Sequence, residues 1–329
     1  MGAPLSGGPS TPALAAAVSR AGGLGFLAAG YKTAAAVADE LAEVRRRTAR
    51  PFGVNVFFPV RERVDEPALE AYAERLRGEA ERYGVEPGEP RWSDDDWDAK
   101  LELLASERPA VVSFTFGCPD REVVEPLRSV GSAVWCTVTS AAEAQEAAAA
   151  GVDALVVQGS EAGGHRGSFS DATATPTRLL DLLGAVRRAT SLPLVATGGI
   201  ATAEAVAEAL AAGASAAQVG TAFLPTPEAG TSAPHREALL GERPTRLTRA
   251  FSGRRARGLV NRFMDDHDAV APLGYPQVHY VTTPIRAAAR AAGDPEAINL
   301  WAGESYRLAR EESAGEVVER LASKTDSGR

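Results

Sequence analysis

Short apolar runs alternate with amphipathic segments along most of this chain, and this alternation limits its folds more than any other feature. The pattern is typical of a parallel sheet whose strands are connected by crossover helices. The apolar runs that can be strands lie at residues 1–5, 24–28, 52–57, 111–116, 133–138, 154–157, 194–197 and 216–220. Eight strands with helices between them predict the α/β class and a (β/α)₈ TIM barrel rather than an open sheet.

Composition and charge exclude several classes of protein. The 329 residues, 45% apolar and 24% charged, are typical of a globular protein with one large domain or two small ones. A net charge of −8 gives no general attraction to nucleic acid or to an acidic membrane, and no apolar segment reaches the roughly eighteen residues of a membrane span. Cys118 and Cys136 show no metal-ligand spacing, so we expect reduced thiols, no bound metal and a cytoplasmic protein.

The loop at residues 158–167 carries the histidine that is best placed for chemistry. It directly follows the apolar run at residues 154–157 and holds His165 among four glycines, together with Glu161 and Arg166. In a TIM barrel the loops after the strands form the catalytic face, and glycine lets a backbone approach a ligand closely. We therefore interpret His165 as a candidate catalytic residue and expect Glu161 and Arg166 to orient the loop. A solvated turn with an idle histidine is the alternative.

Two glycine turns follow the last two predicted strands. They are Thr-Gly-Gly-Ile at residues 197–200 and Gln-Val-Gly-Thr at residues 218–221. TIM barrels often bind phosphate with these two loops, because backbone N–H groups beside a helix N-terminus form a cradle for anions. The pair predicts a phosphorylated ligand, to which the amide of Gln218 and the hydroxyl of Thr221 can add uncharged hydrogen bonds. Tight strand-to-helix turns without a ligand are the alternative.

Several segments, taken in order along the chain, carry a resemblance to a known family. They lie at residues 2–4, 7–12, 21–25, 53–55, 158–167, 197–200, 218–221, 248–254 and 300–303. With this set the chain resembles the nitronate monooxygenase family, formerly called 2-nitropropane dioxygenases, from residue 2 to about residue 312. Barrels of related type share the part from residue 197 to residue 221.

The resemblance implies a non-covalently bound FMN with its phosphate at the two glycine turns. The family's flavin contacts fall on Asn55, Gln158, Gly163, Gly199, Gln218, Val219, Gly220 and Thr221. Asn55 and Gln158 end their strands, so each amide can face the polar edge of the flavin ring; capping of the strand ends is the alternative.

The family's active-site histidine falls on His165. A histidine beside the flavin can hydrogen-bond the nitro oxygens of a nitronate and favour their negative charge, or it can act as a base toward a neutral nitroalkane. The implied reaction is the FMN-dependent oxidation of an alkyl nitronate by O₂ to a carbonyl compound and nitrite.

The resemblance also implies a domain organisation. Residues 1–224 form the FMN-binding barrel, and residues 299–329 complete it, with the last barrel helix predicted at residues 299–312 and an outer helix after Ser313. Residues 225–298, rich in Pro, Gly and Arg, form a smaller, mainly helical substrate or lid domain before that last helix. Three of its side chains can border the substrate pocket, with ordinary packing as the alternative: Tyr275, His279 and Tyr280.

Two positions depart from the family's pattern. Leu5 stands where the family usually has Met after Ala-Pro. Leucine keeps the side-chain volume of methionine and loses its thioether. Only Met1 and Gly2 precede Ala-Pro, whereas family members have several more strand residues there. We therefore expect a short hydrogen-bond ladder between the first and eighth strands.

Two other functions stay open at this stage. The chain can be a different FMN barrel oxidoreductase, such as an enoyl reductase or an NADH:quinone reductase, or a flavin-free barrel that binds a phosphorylated metabolite. For the function that we favour, the predicted partners are a small-molecule substrate and O₂, without nucleic acid or membrane. A homodimer is compatible with the sequence.

Overall fold

The computed structural model describes residues 1–324 of the chain. The strands in this part are β1 Gly25–Ala28, β2 Phe52–Phe57, β3 Val111–Thr115, β4 Ala133–Val138, β5 Ala154–Gln158, β6 Gly164–His165, β7 Leu194–Thr197, β8 Ala216–Gln218, β9 Thr245–Thr248 and β10 Ala256–Leu259. The α-helices are α1 Pro12–Arg20, α2 Ala34–Arg47, α3 Glu66–Arg75, α4 Arg77–Arg82, α5 Trp97–Glu107, α6 Arg121–Ser129, α7 Ala141–Ala150, α8 Leu179–Ala189, α9 Ala203–Ala211, α10 Ala233–Leu239, α11 Arg262–His267, α12 Gln277–Ala291 and α13 Ala314–Ala322.

A curled parallel sheet forms the centre of the molecule, with the strand order β1-β2-β3-β4-β5-β7-β8. Residues 1–3 connect its two edges. The Ala3 N–H donates to the Val219 carbonyl at 2.8 Å, and the Gly2 N–H donates to the Leu24 carbonyl at 3.0 Å. The predicted TIM-barrel class is confirmed, and its first strand contributes only a short ladder, as the sequence predicted.

Capped helix starts follow the strands and fix the direction of the helices. A hydroxyl or carboxylate accepts a backbone N–H from the first turn in six of them, at Thr11, Thr33, Asp65, Asp120, Ser140 and Thr202. Each cap of this kind contributes about 0.5–2 kcal/mol. Because each of these starts follows a strand of the barrel, the helix N-termini and the strand ends share one face of the barrel.

A second hydrophobic core lies beside that of the barrel. We call residues 225–298 the small unit; its core includes Phe251, Phe263 and Ile285. Helix α3 contributes to this core, and its Tyr72 hydroxyl donates to the Ala250 carbonyl at 2.7 Å. The segment that follows β2 therefore supports the small unit as well as the barrel.

The small unit also contains part of an antiparallel sheet of order β6-β10-β9. Strand β6 is a two-residue piece of the loop after β5, and its His165 pairs with Ala256 of β10. The loop that sequence analysis assigned to the barrel is thus hydrogen-bonded to the small unit.

The prediction of an α-helix at residues 299–312 is wrong, because the structure has no α-helix there. This segment bridges to Gly258 through Trp301, and the Leu300 carbonyl accepts the Leu259 N–H at 2.9 Å, so partners in the small unit replace helical ones. Helix α13, which begins after Ser313 with a capping box, packs against α1 and α9 instead. The predicted continuation toward Arg329 lies outside the described residues. Within residues 1–324, the helices are too short or too polar to cross a membrane.

Candidate active site

A cavity of about 440 Å³ opens at the C-terminal ends of the barrel strands, between the barrel and the small unit. Its volume is within the range of roughly 300–1,000 Å³ that is usual for small-molecule sites. The residues that the sequence assigned to catalysis and to FMN all line it: Asn55, Gln158, Gly163, His165, Gly199, Gln218, Val219, Gly220 and Thr221. The fold therefore brings together segments that are far apart in the sequence.

Four backbone N–H groups on the barrel side of the cavity, which we call the N–H cradle, belong to Gly198, Gly199, Gly220 and Thr221. Within residues 1–324 they donate no hydrogen bond. Gly198 and Gly199 have φ angles of +110° and +72°, in the region that favours glycine. Buried or partly buried N–H groups need an acceptor, and a phosphate placed at the cradle would supply several. The residues present therefore fit the phosphate of FMN.

Neighbouring side chains hold the N–H cradle in place. The Thr221 hydroxyl accepts the Gly303 N–H at 3.0 Å, and the Ser305 hydroxyl donates to the Gly199 carbonyl at 2.6 Å. A Cβ at Gly199 would lie 3.0 Å from the Cβ of Glu161, so a larger residue here would press against the Glu161 side chain. The cradle is thus held by contacts from the barrel and from the segment that contains Gly303 and Ser305.

The two amides predicted to face the flavin are used differently. Asn55 directs its Nδ2 to the Ser113 hydroxyl at 2.9 Å and the Thr115 hydroxyl at 3.0 Å, which leaves Oδ1 without a donor in the described chain. Gln158 uses both ends of its amide inside the protein, donating to the His165 carbonyl at 3.0 Å and accepting the Gly167 N–H at 2.8 Å. Asn55 therefore has a free acceptor for a ligand, whereas Gln158 holds the loop.

Glu161 and Arg166 also orient the loop, as the sequence predicted. The Glu161 carboxylate is buried and accepts the first N–H of α8, from Leu179, at 3.0 Å. The Arg166 guanidinium is buried and donates to the Gly159 carbonyl at 2.5 Å. Neither residue lines the cavity, so both act on the backbone.

His165 is fixed by a hydroxyl from the small unit. Its Nε2 lies 2.8 Å from the Oγ of buried Ser252, and that Oγ lies 3.1 Å from the Arg254 carbonyl. A carbonyl can only accept, so the Ser252 hydroxyl donates to it and accepts from His165. This pattern assigns the proton of a neutral imidazole to Nε2 and leaves Nδ1 as its lone-pair nitrogen.

Aromatic rings surround the imidazole. The ring centres of Phe116, Tyr275 and Trp301 lie 5.7, 5.7 and 5.6 Å from that of His165. Burial, followed by the positive charges of Arg254 and Arg286, lowers the pKa of His165 to about 3. The imidazole is therefore neutral at physiological pH.

The small unit supplies a second imidazole, which stacks on a tyrosine of the barrel. The rings of His279 and Tyr31 lie 4.0 Å apart and are nearly parallel, at 6°. The Tyr31 hydroxyl lies 3.1 Å from that of Tyr275, and the Tyr31 N–H donates to the Asp95 carboxylate at 2.9 Å. Asp95 in turn pairs with fully buried Lys100 at 2.8 Å, which anchors this wall of the cavity.

The three side chains of the small unit that were predicted to border the pocket have different positions. His279 lines the cavity, Tyr275 packs behind His165, and Tyr280 lies away from the cavity under the guanidinium of Arg91 at 4.1 Å. Sequence reasoning gave no role to several other residues that form the site: Tyr31, Ser252, Arg286, Arg290 and Trp301. Ser252 and Trp301 lie in segments that carried the family resemblance, but no local pattern marks any of the five as a site residue.

Comparisons with known proteins agree over the length of the chain. The family described as nitronate monooxygenase matches residues 1–324. The chain is 43% identical to nitronate monooxygenase of Pseudomonas aeruginosa, over 95% of this chain and 92% of the relative. It is 34% identical to probable nitronate monooxygenase of Staphylococcus aureus, over 95% of this chain and 90% of the relative.

Solved structures share the fold of this chain. Nitroalkane oxidase from Streptomyces ansochromogenes superimposes with a TM-score of 0.96 at 51% identity, over 98% of this chain and 94% of that chain. FabK from Thermotoga maritima is more distant, with a TM-score of 0.76 at 25% identity, over 98% of this chain and 90% of that chain.

Proposed function

The chain belongs to the nitronate monooxygenase family and is an oxidoreductase, and from this premise we propose that it oxidises alkyl nitronates with FMN and O₂ to a carbonyl compound and nitrite. The observation that supports this most directly is one cavity that contains both the N–H cradle and His165. The cradle suits a phosphate, and His165 offers a neutral imidazole beside the space for a small organic substrate.

FMN, when bound, accepts electrons from the substrate and passes them to O₂; this redox chemistry belongs to the cofactor. The N–H cradle would hold the phosphate, and Asn55 Oδ1 would accept a hydrogen bond from a donor group of the cofactor. Gly163 lets the backbone at Gly303 pack closely against the loop after β5, since a Cβ at Gly163 would lie 2.5 Å from the Gly303 nitrogen. Gln218, Val219, Gly220 and Thr221 complete the cofactor side of the cavity.

The state of His165 favours a substrate that is already an anion. A general base works best when its pKa is near the operating pH, and the pKa of His165 is lowered to about 3 by burial and by the charges of Arg254 and Arg286. It is therefore a weak base toward the carbon-bound proton of a neutral nitroalkane. A nitronate needs no such proton removal. Because the Nε2 proton of His165 is donated to Ser252, the neutral ring then positions the substrate by the shape of the pocket rather than by donating a hydrogen bond.

The test is anaerobic mixing of the FMN-loaded protein with an alkyl nitronate and, separately, with NADH. We expect the nitronate to bleach the flavin absorption band, NADH to leave it unchanged, and subsequent O₂ to restore the band with formation of nitrite.

Bleaching by NADH alone would instead support the reductase alternative. Failure of the purified protein to take up FMN would remove both flavin functions and leave the flavin-free barrel. The uncharged nitroalkane of the same carbon skeleton is the matched control, and we expect it to react much more slowly.

A further inference from the structure

The stretch at residues 248–254 carried part of the family resemblance, and so far only its Ser252 has a role. The arginine that ends this stretch, Arg254, is fully buried. It is not among the described residues that line the cavity. Arg254 can therefore affect the reaction only through the residues that it contacts.

The guanidinium of Arg254 binds the backbone of the loop that carries His165. Its Nε donates to the Arg166 carbonyl at 3.1 Å, and its Nη2 donates to the Ser168 carbonyl. The Arg254 carbonyl accepts the hydroxyl of Ser252, which in turn accepts from Nε2 of His165. One residue therefore contacts the loop directly and also fixes the hydroxyl that supports the imidazole.

The face of the same guanidinium contacts the cavity wall at Phe116. The central guanidinium carbon lies 4.3 Å from the centre of the Phe116 ring, a distance at which an aromatic face attracts a cation. Phe116 lines the cavity, and its φ of +80° is uncommon for a bulky residue. A backbone of this kind persists only where its surroundings hold it. Arg254 thus supports this part of the wall as well as the loop.

The positive charge of Arg254 has only a distant counter-ion. Its Nη1 makes no hydrogen bond with a described residue and lies 4.0 Å from one oxygen of the Glu62 carboxylate. The other oxygen of that carboxylate accepts the Ser170 hydroxyl and the Asp171 N–H, each at 2.7 Å. Because charges interact strongly where water is excluded, the charge of Arg254 acts on the buried groups around it.

Other ionisable groups also face His165. They come from the loop after β5, from α12 and from the segment that precedes α12: Asp171, His279, Arg286 and Tyr275. After burial itself, Arg254 is the strongest influence that lowers the pKa of His165, ahead of Arg286, whereas Asp171 raises that pKa. Burial raises the pKa of Tyr275 and lowers that of His279, so both are neutral at physiological pH. The charge that most disfavours a cationic imidazole therefore belongs to the residue that also holds its loop.

We propose that Arg254 is a positioning residue for the reaction: it joins the loop of His165 to the Ser252 hydroxyl, and its charge keeps a second positive charge off the imidazole. The substrate then meets the same neutral surface over a wide range of pH. The effect on turnover rests on the proposed nitronate oxidation, whereas the effect on His165 is measurable without any substrate.

The first test follows the ionisation of His165 by NMR in the FMN-loaded protein, with its four histidines labelled with ¹³C. His165→Asn assigns the signal. We expect Arg254→Gln to raise the midpoint of His165 by about one to two pH units, because removal of a nearby positive charge favours the cationic imidazole. Arg254→Lys retains the charge and should keep the midpoint of the parent protein.

The second test is steady-state kinetics with an alkyl nitronate. Arg254→Gln should lower kcat about ten- to hundred-fold, because the imidazole and the Phe116 ring are no longer held in place. The affinity for FMN should stay close to that of the parent, since Arg254 does not line the cavity. Arg254→Lys should recover only part of kcat, because an ammonium does not reproduce the planar fork of a guanidinium.

The matched control is Arg255→Gln, at the next position of the chain. Arg255 also holds the loop, since its Nη2 donates to the Ala174 carbonyl at 2.8 Å. Its charge, however, is in direct contact with the carboxylate of Asp171 at 3.1 Å. We expect Arg255→Gln to lower Tm by loosening the loop and to leave the midpoint of His165 much closer to that of the parent than Arg254→Gln does.

Three results would overturn the proposal: an unchanged midpoint of His165 in Arg254→Gln, an equal shift in Arg255→Gln, or parent-like kcat in Arg254→Gln. If Arg254→Gln does not fold, Arg254→Lys decides. Reduced kcat with the midpoint of the parent supports the proposal, and either a shifted midpoint or an unchanged kcat contradicts it. If the parent oxidises no nitronate, the NMR titration still decides the effect on His165, so the two failures are distinguishable.

Discussion

The two walls of the cavity bind by different means. The barrel wall presents the N–H cradle, whose donors are backbone groups at glycine turns, and the described barrel residues that line the cavity carry no charged side chain. The wall of the small unit presents Arg286, Arg290 and His279 from one helix, and Ser252 supports His165 from the same unit. We propose from this difference a division of labour: the barrel would hold a cofactor by backbone shape, whereas the small unit would select and orient the substrate by side chains.

The largest effect that would test this division is expected at Gly199. Gly199→Val places a β-branched side chain at φ +72° and a Cβ 3.0 Å from that of Glu161. Left-handed strain and overpacking together cost about 2–4 kcal/mol, so we expect FMN affinity, measured by fluorescence titration, to fall roughly a hundred-fold.

The matched control is Gly184→Ala in the middle of α8, where a Cβ meets only the end of the Arg188 side chain at 3.6 Å. It should leave FMN affinity unchanged and stabilise the protein by about 0.5–1 kcal/mol. Unchanged FMN binding in Gly199→Val would show that the barrel wall does not hold the cofactor by its backbone.

The next effect should separate substrate chemistry from cofactor binding. His165→Asn removes the imidazole that lines the cavity, and we expect kcat with an alkyl nitronate to fall about 10- to 100-fold, because the substrate loses a group that positions it. The FMN dissociation constant should stay within about threefold of the parent, because the N–H cradle is intact. Parent-like turnover in this variant would remove His165 from the mechanism.

A smaller effect is expected when the hydrogen bond between Ser252 and His165 is removed. Ser252→Ala deletes the hydroxyl that lies 2.8 Å from Nε2, and loss of one such hydrogen bond costs about 1 kcal/mol. Steady-state kinetics should therefore show kcat reduced about five- to ten-fold with KM for the nitronate nearly unchanged. A rise in KM alone would mean that Ser252 shapes the pocket rather than orienting the imidazole.

The smallest effect should be in the pH profile. Burial and two nearby arginines disfavour the cationic form of His165 and lower its pKa to about 3, so the imidazole is neutral well above that pH. With preformed nitronate we expect kcat/KM to show no histidine ionisation between about pH 5 and about pH 9. An ionisation near pH 6–7 that disappears in His165→Asn would contradict the neutral state.

Much of the barrel was predictable because its signals are local. Apolar runs, N-cap residues such as Thr11 and Asp120, and glycine turns at residues 198–199 each act within a few positions of the chain. The helix at residues 299–312 was predicted wrongly for the opposite reason. Its backbone groups bond to β10 and the surrounding segment, about forty residues earlier, and no local pattern reveals such partners.

The same distinction applies to the site. The sequence by itself determined the barrel, the glycine turns and the strand end that carries His165, because these depend on periodicity and on backbone conformations that only certain residues adopt. Only the tertiary structure decided that Ser252, 87 positions away, holds the imidazole, that Gln158 serves the loop, and that α12 turns two arginines toward the cavity. The physical reason is that burial, pairing and charge compensation depend on neighbours in space, which chain packing alone brings together.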